Sequence, residues 1–243
     1  MKHWMIAAAV FAVQCPGHPG ACRQSHEKLH TTLWVRTAPE YRGVTLGIFR
    51  AAQDRLDAAL KDRRWTAAVE QEGRFGGLPP AVILDVDETV LDNSGYNVRI
   101  IALQKSWDSA TWSRWVEEAR APAIPGAVEF TRHARRRGVQ VFFVTNREAE
   151  LEPATRRNLE REGFPLDPKI DTVYTKGEKP GWTSDKSVRR REIAARYRIL
   201  LLCGDDLGDF LGGIVAPPAE RRALAARFDG YWGTRWINLP KAH

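Results

Sequence analysis

Ala81-Val-Ile-Leu-Asp-Val-Asp-Glu-Thr89 reads as a strand that runs straight into carboxylates. Its apolar part, from Ala81 to Val86, lacks the polar alternation of a half-exposed strand and fits one covered on both faces of a parallel sheet. Asp85 closes the run. The two-residue period of a strand, carried into a turn, aims Asp85 and Asp87 at one crevice. Carboxylates at the end of a greasy strand are costly to desolvate unless they hold a cation or exchange protons.

Working outward, Val139–Val144, Asp171–Tyr174 and Ile199–Cys203 repeat the pattern, with a weaker fifth run at Arg235–Asn238. Helices between them are marked by their ends. Gly126 to Arg137 stops at Gly138, Pro153 to Glu162 opens on proline and stops at Gly163, and Lys186 to Tyr197 and Pro218 to Phe228 complete the series. Alternating strand and helix predicts an α/β fold: a Rossmann-like parallel sheet covered by helices, with its ligand site at the carboxyl ends of the strands. Residues 87–138 separate the first two strands, far more chain than one crossover helix needs. Within them Ser109 to Ala119 reads as a helix with Trp112, Trp115, Val116 and Ala119 on one stripe. With Tyr96, Ile100, Ile101 and Trp107 this predicts a small aromatic-rich helical cap, inserted at about residues 93–120, over the strand ends.

Upstream, residues 23–78 read as an N-terminal helical segment, with Ile48, Ala51, Ala52, Leu56, Ala59 and Leu60 recurring at helical spacing and Gly73 to Pro80 closing it as a loop. Residues 79–243 then form the core that carries the cap. Residues 1–22 have the outline of a signal peptide: a basic start, an apolar run from Met5 to Val13 too short to span a bilayer, and Ala21-Cys22 in the place of a lipoprotein-type cut. The expectation is an exported chain that is periplasmic, secreted, or held to an outer membrane through a lipidated Cys22. Cys15, Cys22 and Cys203 are too few for a disulfide framework, and Cys203 reads as an inert apolar residue of a buried strand.

Hydrophobic and charged fractions of 43% and 28% exclude a disordered or fibrous chain. The net charge of +7 favours anionic partners without choosing among them. Arg135–Arg137, Arg189–Arg191 and Arg221–Arg222 fall within expected helices and read as solvated faces, so no nucleic-acid partner is expected. His26 and His30 sit four apart but have no third metal ligand nearby in sequence.

The remaining strand ends carry matching chemistry. Cys203-Gly-Asp-Asp-Leu-Gly-Asp209 places carboxylates close together, where they repel unless a hard cation neutralises them; oxygen donors of this kind suit Mg²⁺. Thr145-Asn-Arg147 offers a hydroxyl, an amide and backbone N–H groups to a phosphoryl oxygen. Lys186 supplies a positive point charge where the chain returns to the same edge.

The ordered set Asp85-Val-Asp87-Glu-Thr, Thr145-Asn-Arg147, Lys186 and Gly204-Asp-Asp-Leu-Gly-Asp209 resembles the four motifs of the haloacid dehalogenase-like (HAD) superfamily. The wider string Ile83 to Ser94, with Trp115-Val116, Ile124 to Phe130 and Leu33 to Tyr41, resembles its class C acid phosphatases, of subfamily IIIB. That resemblance implies an Mg²⁺-dependent acid phosphatase hydrolysing small phosphate monoesters, 5′-nucleotides among them, through an aspartyl-phosphate. Asp85 would be the nucleophile and Asp87 the general acid and base. Mg²⁺ would be held by Asp85, Asp205 and the backbone carbonyl of Asp87, with Thr145, the Asn146 backbone and Lys186 on the phosphoryl oxygens. Asp209 would orient water or Lys186 from behind these groups. Asp206 stands where that family commonly has Asn, so an extra charge tightening Mg²⁺ is expected there. Tyr96 and Trp107 are expected to contact a nucleobase, and Trp112 and Trp115 to pack the cap. The acid two residues after Asp85 speaks against dehalogenase chemistry. A phosphotransferase or a silent ligand-binding relative of the same fold is the alternative.

Overall fold

A computed structural model describes residues 26–241; the expected signal peptide and Cys22 lie outside them. Five strands, β1 (Pro80–Leu84), β2 (Gln140–Glu148), β3 (Val173–Lys176), β4 (Arg198–Gly204) and β5 (Trp236–Asn238), form one sheet in the order β3-β2-β1-β4-β5. Every pairing is parallel, with Leu84 opposite both Phe143 and Cys203. The order reverses between β1 and β4, which makes their carboxyl ends the topological switch point where such sheets bind ligands.

The continuous apolar runs are explained by burial on both faces. Val82 and Leu84 of β1 join Val141 and Phe143 of β2 in one core, while Ala81 and Ile83 join Phe142 and Val144 in the other. A register shift between Ala81 and Val82 lets Leu200 and Leu201 both enter the first core. That first core is roofed by α2 (Pro39–Lys61), α5 (Ala127–Arg136) and α6 (Glu152–Glu162), reached through Phe49, Leu56, Phe130 and Leu159. On the opposite face lie α7 (Ser187–Ala194) and α8 (Pro218–Ala226), with Phe210 stacked on the fully buried Trp236. The strand–helix alternation thus gives the expected α/β architecture.

Three elements depart from the sequence expectation. β2 continues through Thr145-Asn146-Arg147 to Glu148 rather than ending at Val144, because pairing with β3 resumes at Glu148 opposite Lys176 after a register shift. Among its described residues the N-terminal segment is helical only as α1 (Leu29–Thr37) and α2; from Asp62 to Glu72, expected to be helical, it runs without helix along the start of β4 before the expected loop from Gly73. There the backbone N–H of Ala67 donates to Ile199, the Trp65 indole N–H donates to Leu200, and Arg198 donates to the carbonyls of Ala59 and Asp62, so the tertiary partners outweigh local helical spacing. The cap contains two helices, α3 (Ser94–Ala102) and α4 (Ser109–Glu117). α4 starts where Asp108 accepts from the Thr111 N–H at 2.9 Å and ends before Ala119, whose φ of 49° breaks the helix. No described helix is long and apolar enough to cross a membrane.

Candidate active site

The sheet delivers its carboxylates as a set. Asp85 extends β1 by one residue, its N–H donating to the Cys203 carbonyl at 2.9 Å, and its side chain is 7% exposed. Past Gly204 the chain turns through Asp205 and Asp206 into a short helical turn, Leu207–Asp209, that brings Asp209 back over the strand end. Only glycine permits this return: a Cβ on Gly204 would lie 2.3 Å from the Cβ of Asp209. The Asp209 carboxylate accepts from the backbone N–H groups of Asp205 and Asp206 at 3.0 and 2.9 Å, fixing the turn.

Asp85, Asp205 and Asp209 each offer an oxygen within 4.8 Å of the others. Lys186, just ahead of α7 and buried, donates to Asp85 and, at 2.6 Å, to Asp209. Burial holds the Asp85 carboxyl well above the usual carboxylate range against the pull of Lys186. Burial and the neighbouring Asp209 push Asp205 up to about 7. For Lys186, burial opposes the charge, but Asp209 and Asp85 outweigh it and carry the amine above its ordinary value. Lys186 inside the cluster and Lys241, 3.8 Å from Asp205 at its edge, still leave three crowded carboxylates an acidic surplus, and three hard oxygen donors at that spacing fit a divalent cation.

Asp87 belongs to a second arrangement. Its Oδ1 accepts from Arg147 Nη2 at 2.7 Å and Nε at 3.0 Å and from Asn93 Nδ2 at 2.9 Å, while Thr145 Oγ1 lies 3.3 Å from Oδ2. The Arg147 side chain is wholly buried. Just past Asp87 the chain turns sharply, with Glu88 at φ 56°. Thr145 also accepts the Arg147 N–H at 3.1 Å. Asn146 spends its side chain on the scaffold, donating to the Ser184 carbonyl and accepting from Arg189, which leaves its backbone for a ligand.

Both arrangements open into one cleft of about 580 Å³. Asp85, Asp87, Asn146, Lys186, Asp205, Asp206 and Asp209 line it, as do Tyr96, Trp107 and Trp112 of the cap. Thr145 is fully buried and is not among the lining residues; its hydroxyl reaches Asp87. Of the two aromatics expected to contact a base, Trp107 is 55% exposed, but Tyr96 is 2% exposed, edge-on to Trp112 and hydrogen-bonded through its hydroxyl to Thr111. Tyr96 therefore holds up the cap where it borders the cleft, and the half-buried Trp112, which packs against the core as expected, also shares the cleft wall with Trp107. Trp115 packs in the core as expected. Asp206 stands apart from the carboxylate cluster: it caps the 207–209 turn through the Gly208 N–H and pairs with Lys241 at 2.9 Å. Those cationic and backbone donors hold its pKa down despite partial burial.

The arginine runs include a correction. Arg189 and Arg190 are buried, not solvated. Arg189 donates to the carbonyls of Thr145 and Thr183 as well as to Asn146; Arg190 pairs with Glu70 at 2.6 Å and donates to the carbonyls of Gly208 and Asp209. Their positions three and four residues after Lys186 place them on the lysine's side of α7, a spacing that the reading as a charge run overlooked. Arg147, Asn93 and Glu70 were likewise given no role from sequence. His26 bonds the Lys105 carbonyl, and neither His26 nor His30 belongs to a metal-sized cluster among the described residues. Cys203 is buried, and burial pushes its thiol far up, as an inert core residue requires.

Fold and site together define a Rossmann-like α/β protein whose switch-point crevice gathers acidic oxygens around a lysine beneath a helical cap. The chain belongs to the HAD superfamily, subfamily IIIB (Acid phosphatase), whose family model matches residues 37–243. It is similar to the class C acid phosphatase from Bacillus anthracis at 28% identity and a TM-score of 0.74, over 88% of this chain and 83% of that one. A second structure of that phosphatase, with tungstate bound, gives a TM-score of 0.75 at the same identity and coverage. Acid phosphatase 1 from Solanum lycopersicum is 30% identical over 131 residues, which are 54% of this chain and 51% of that protein. The chain thus spans about half the length of this curated relative.

Proposed function

We propose that the chain is an acid phosphatase that hydrolyses small phosphate monoesters with Mg²⁺, through a phosphoryl group carried on Asp85. The observation that supports this most is the juxtaposition of two differently furnished carboxylates: Asp85 in the Lys186–Asp205–Asp209 cluster, and Asp87 clamped by Arg147. Two carboxyls with distinct surroundings can divide nucleophile and acid–base work. Asp85, Asp205 and the Asp87 carbonyl would hold the cation, with Asp209 at its edge. When bound, the cation supplies charge neutralisation for an approaching phosphate dianion. Asp85 attacks phosphorus in line, Asp87 protonates the departing alkoxide and later takes a proton from the attacking water, and Lys186, the Thr145 hydroxyl and the Asn146 N–H hold the phosphoryl oxygens. A tungstate-bound relative is consistent with an oxyanion site in such a cleft.

On substrate, Trp107 and Trp112 at the cleft wall favour esters with a flat leaving group, so 5′-nucleotides fall within the proposal. Alanine at Trp107 should then lower kcat/KM for AMP selectively over glucose 6-phosphate, by roughly tenfold for each 1.4 kcal/mol of stacking lost. Export, with a lipid on Cys22, extends the proposal and is checked by fractionating cells and by mass spectrometry of the mature N-terminus. The enzyme reading itself is tested with p-nitrophenyl phosphate at acidic pH: phosphate release that stops with EDTA and returns with Mg²⁺ is expected, and a folded protein that releases none is instead a silent binding relative.

A further inference from the structure

The clamp on Asp87 reaches into the cap. Asn93 is 2% exposed and lies between the two: the Trp115 indole N–H donates to its Oδ1 at 2.8 Å, and its Nδ2 donates to Asp87 Oδ1 at 2.9 Å. An indole nitrogen can only donate, so the Asn93 amide has one permitted orientation, with its NH₂ toward the carboxylate. The indole itself has little freedom. It packs on Gly95, where a Cβ would lie 2.6 Å from Trp115 Cη2, and Arg99 covers its ring at 4.8 Å. Asp87 Oδ1 thereby receives three N–H groups, while Oδ2 has only the longer contacts to Arg147 Nε at 3.2 Å and Thr145 at 3.3 Å.

We propose that Trp115 and Asn93 are positioning residues for the general acid: cap helix α4, through the indole N–H and the Asn93 amide, anchors Asp87 Oδ1 and so leaves Oδ2 as the oxygen that passes the proton. The inference rests on Asp87 being the acid. In the step concerned, the bond from Asp85 to phosphorus forms as the ester P–O bond breaks. The leaving oxygen keeps that electron pair and takes the proton from Oδ2. A leaving group that is stable as an anion hardly needs this proton, whereas an alkoxide does. Nothing in a purely packing role for Trp115 distinguishes the two.

The test compares kcat/KM, which reports phosphoryl transfer to the enzyme, for p-nitrophenyl phosphate and glycerol 3-phosphate in the Mg²⁺-loaded protein. Trp115→Phe keeps the ring and removes the N–H. It should lose roughly five- to tenfold on the glycerol ester, the scale of one hydrogen bond, and less than about twofold on the nitrophenyl ester. Gly95→Ala, which displaces the indole without altering it, should show the same inequality. Asp87→Asn sets the scale with a larger unequal loss. Equal losses on both esters in Trp115→Phe, or none on either, overturn the positioning role. Equal losses in Asp87→Asn instead overturn the acid assignment, and the inference with it.

Discussion

At the scale of single residues, identity alone misplaces Asp206. A carboxylate next to Asp205 reads as extra charge on a cation site, yet its oxygens cap the Leu207–Asp209 turn and meet Lys241 and Arg221. Asparagine caps a helical turn nearly as well, and the carboxylate it replaces is about a third exposed, where solvent and salt screen its charge. Asp206→Asn should therefore leave Mg²⁺ affinity within about threefold by calorimetric titration, the range of a weak, partly screened charge effect. A tenfold weakening would restore the charge reading. The same limit explains Tyr96 and Arg189: residue type marks an aromatic or a cation, but only the backbone around it decides whether its side chain is free for a ligand or spent on holding up a cap or loop. Asp85, Asp205 and Lys186 were legible because each follows a strand or precedes a helix, where parallel sheets expose what comes next.

Among the elements, four strands were legible as apolar runs, since burial on both faces removes any polar alternation that might confuse them, and the short fifth run, bounded by Arg235 and Asn238, was legible only weakly. The loop from Gly73 was legible from its glycines and prolines, but the non-helical course of residues 62–72 was not, because its partners are backbone groups of β4 over a hundred residues away. The cap shows how an element keeps its shape at acid pH. Arg99 of α3 and Arg120 grip Glu118 at the end of α4, and those bonds hold the Glu118 carboxyl down at about 2. A carboxyl lowered in the folded state stabilises fully above its unfolded value, about 4.3, and loses that contribution as pH falls toward 2. Glu118→Gln should thus lower Tm by a small margin at pH 5 and by less at pH 3, with the difference shrinking in salt because the pair is partly exposed. A gap that widens on acidification would contradict the assignment.

For the whole molecule, the N-terminal segment is joined to the site rather than appended to it. Glu70, in the irregular stretch after α2, pairs in the interior with Arg190, which in turn braces the carbonyls of the turn bearing Asp209. Removing one partner of a buried pair leaves the other charge uncompensated. Glu70→Ala should cost about 3 kcal/mol in denaturant unfolding and weaken cation binding together. A loss below about 1 kcal/mol would mean that the backbone carbonyls alone satisfy Arg190. On the other side α1 packs on the cap, with Arg36 donating to Ser94 at 3.3 Å, so the segment touches both walls of the cleft.

The proposed function rests on one chemical statement, that Asp85 carries the phosphoryl group in a cation-dependent cycle. The most direct measurement is acid quenching during turnover of a phosphate monoester, followed by peptide mass spectrometry of the protein. A phosphoryl group on the peptide containing Asp85, present with Mg²⁺, absent after EDTA and absent in Asp85→Asn, is the predicted result. Sustained phosphate release with the label on another residue, or undiminished turnover in an Asp85→Asn protein shown not to have deamidated, would contradict it.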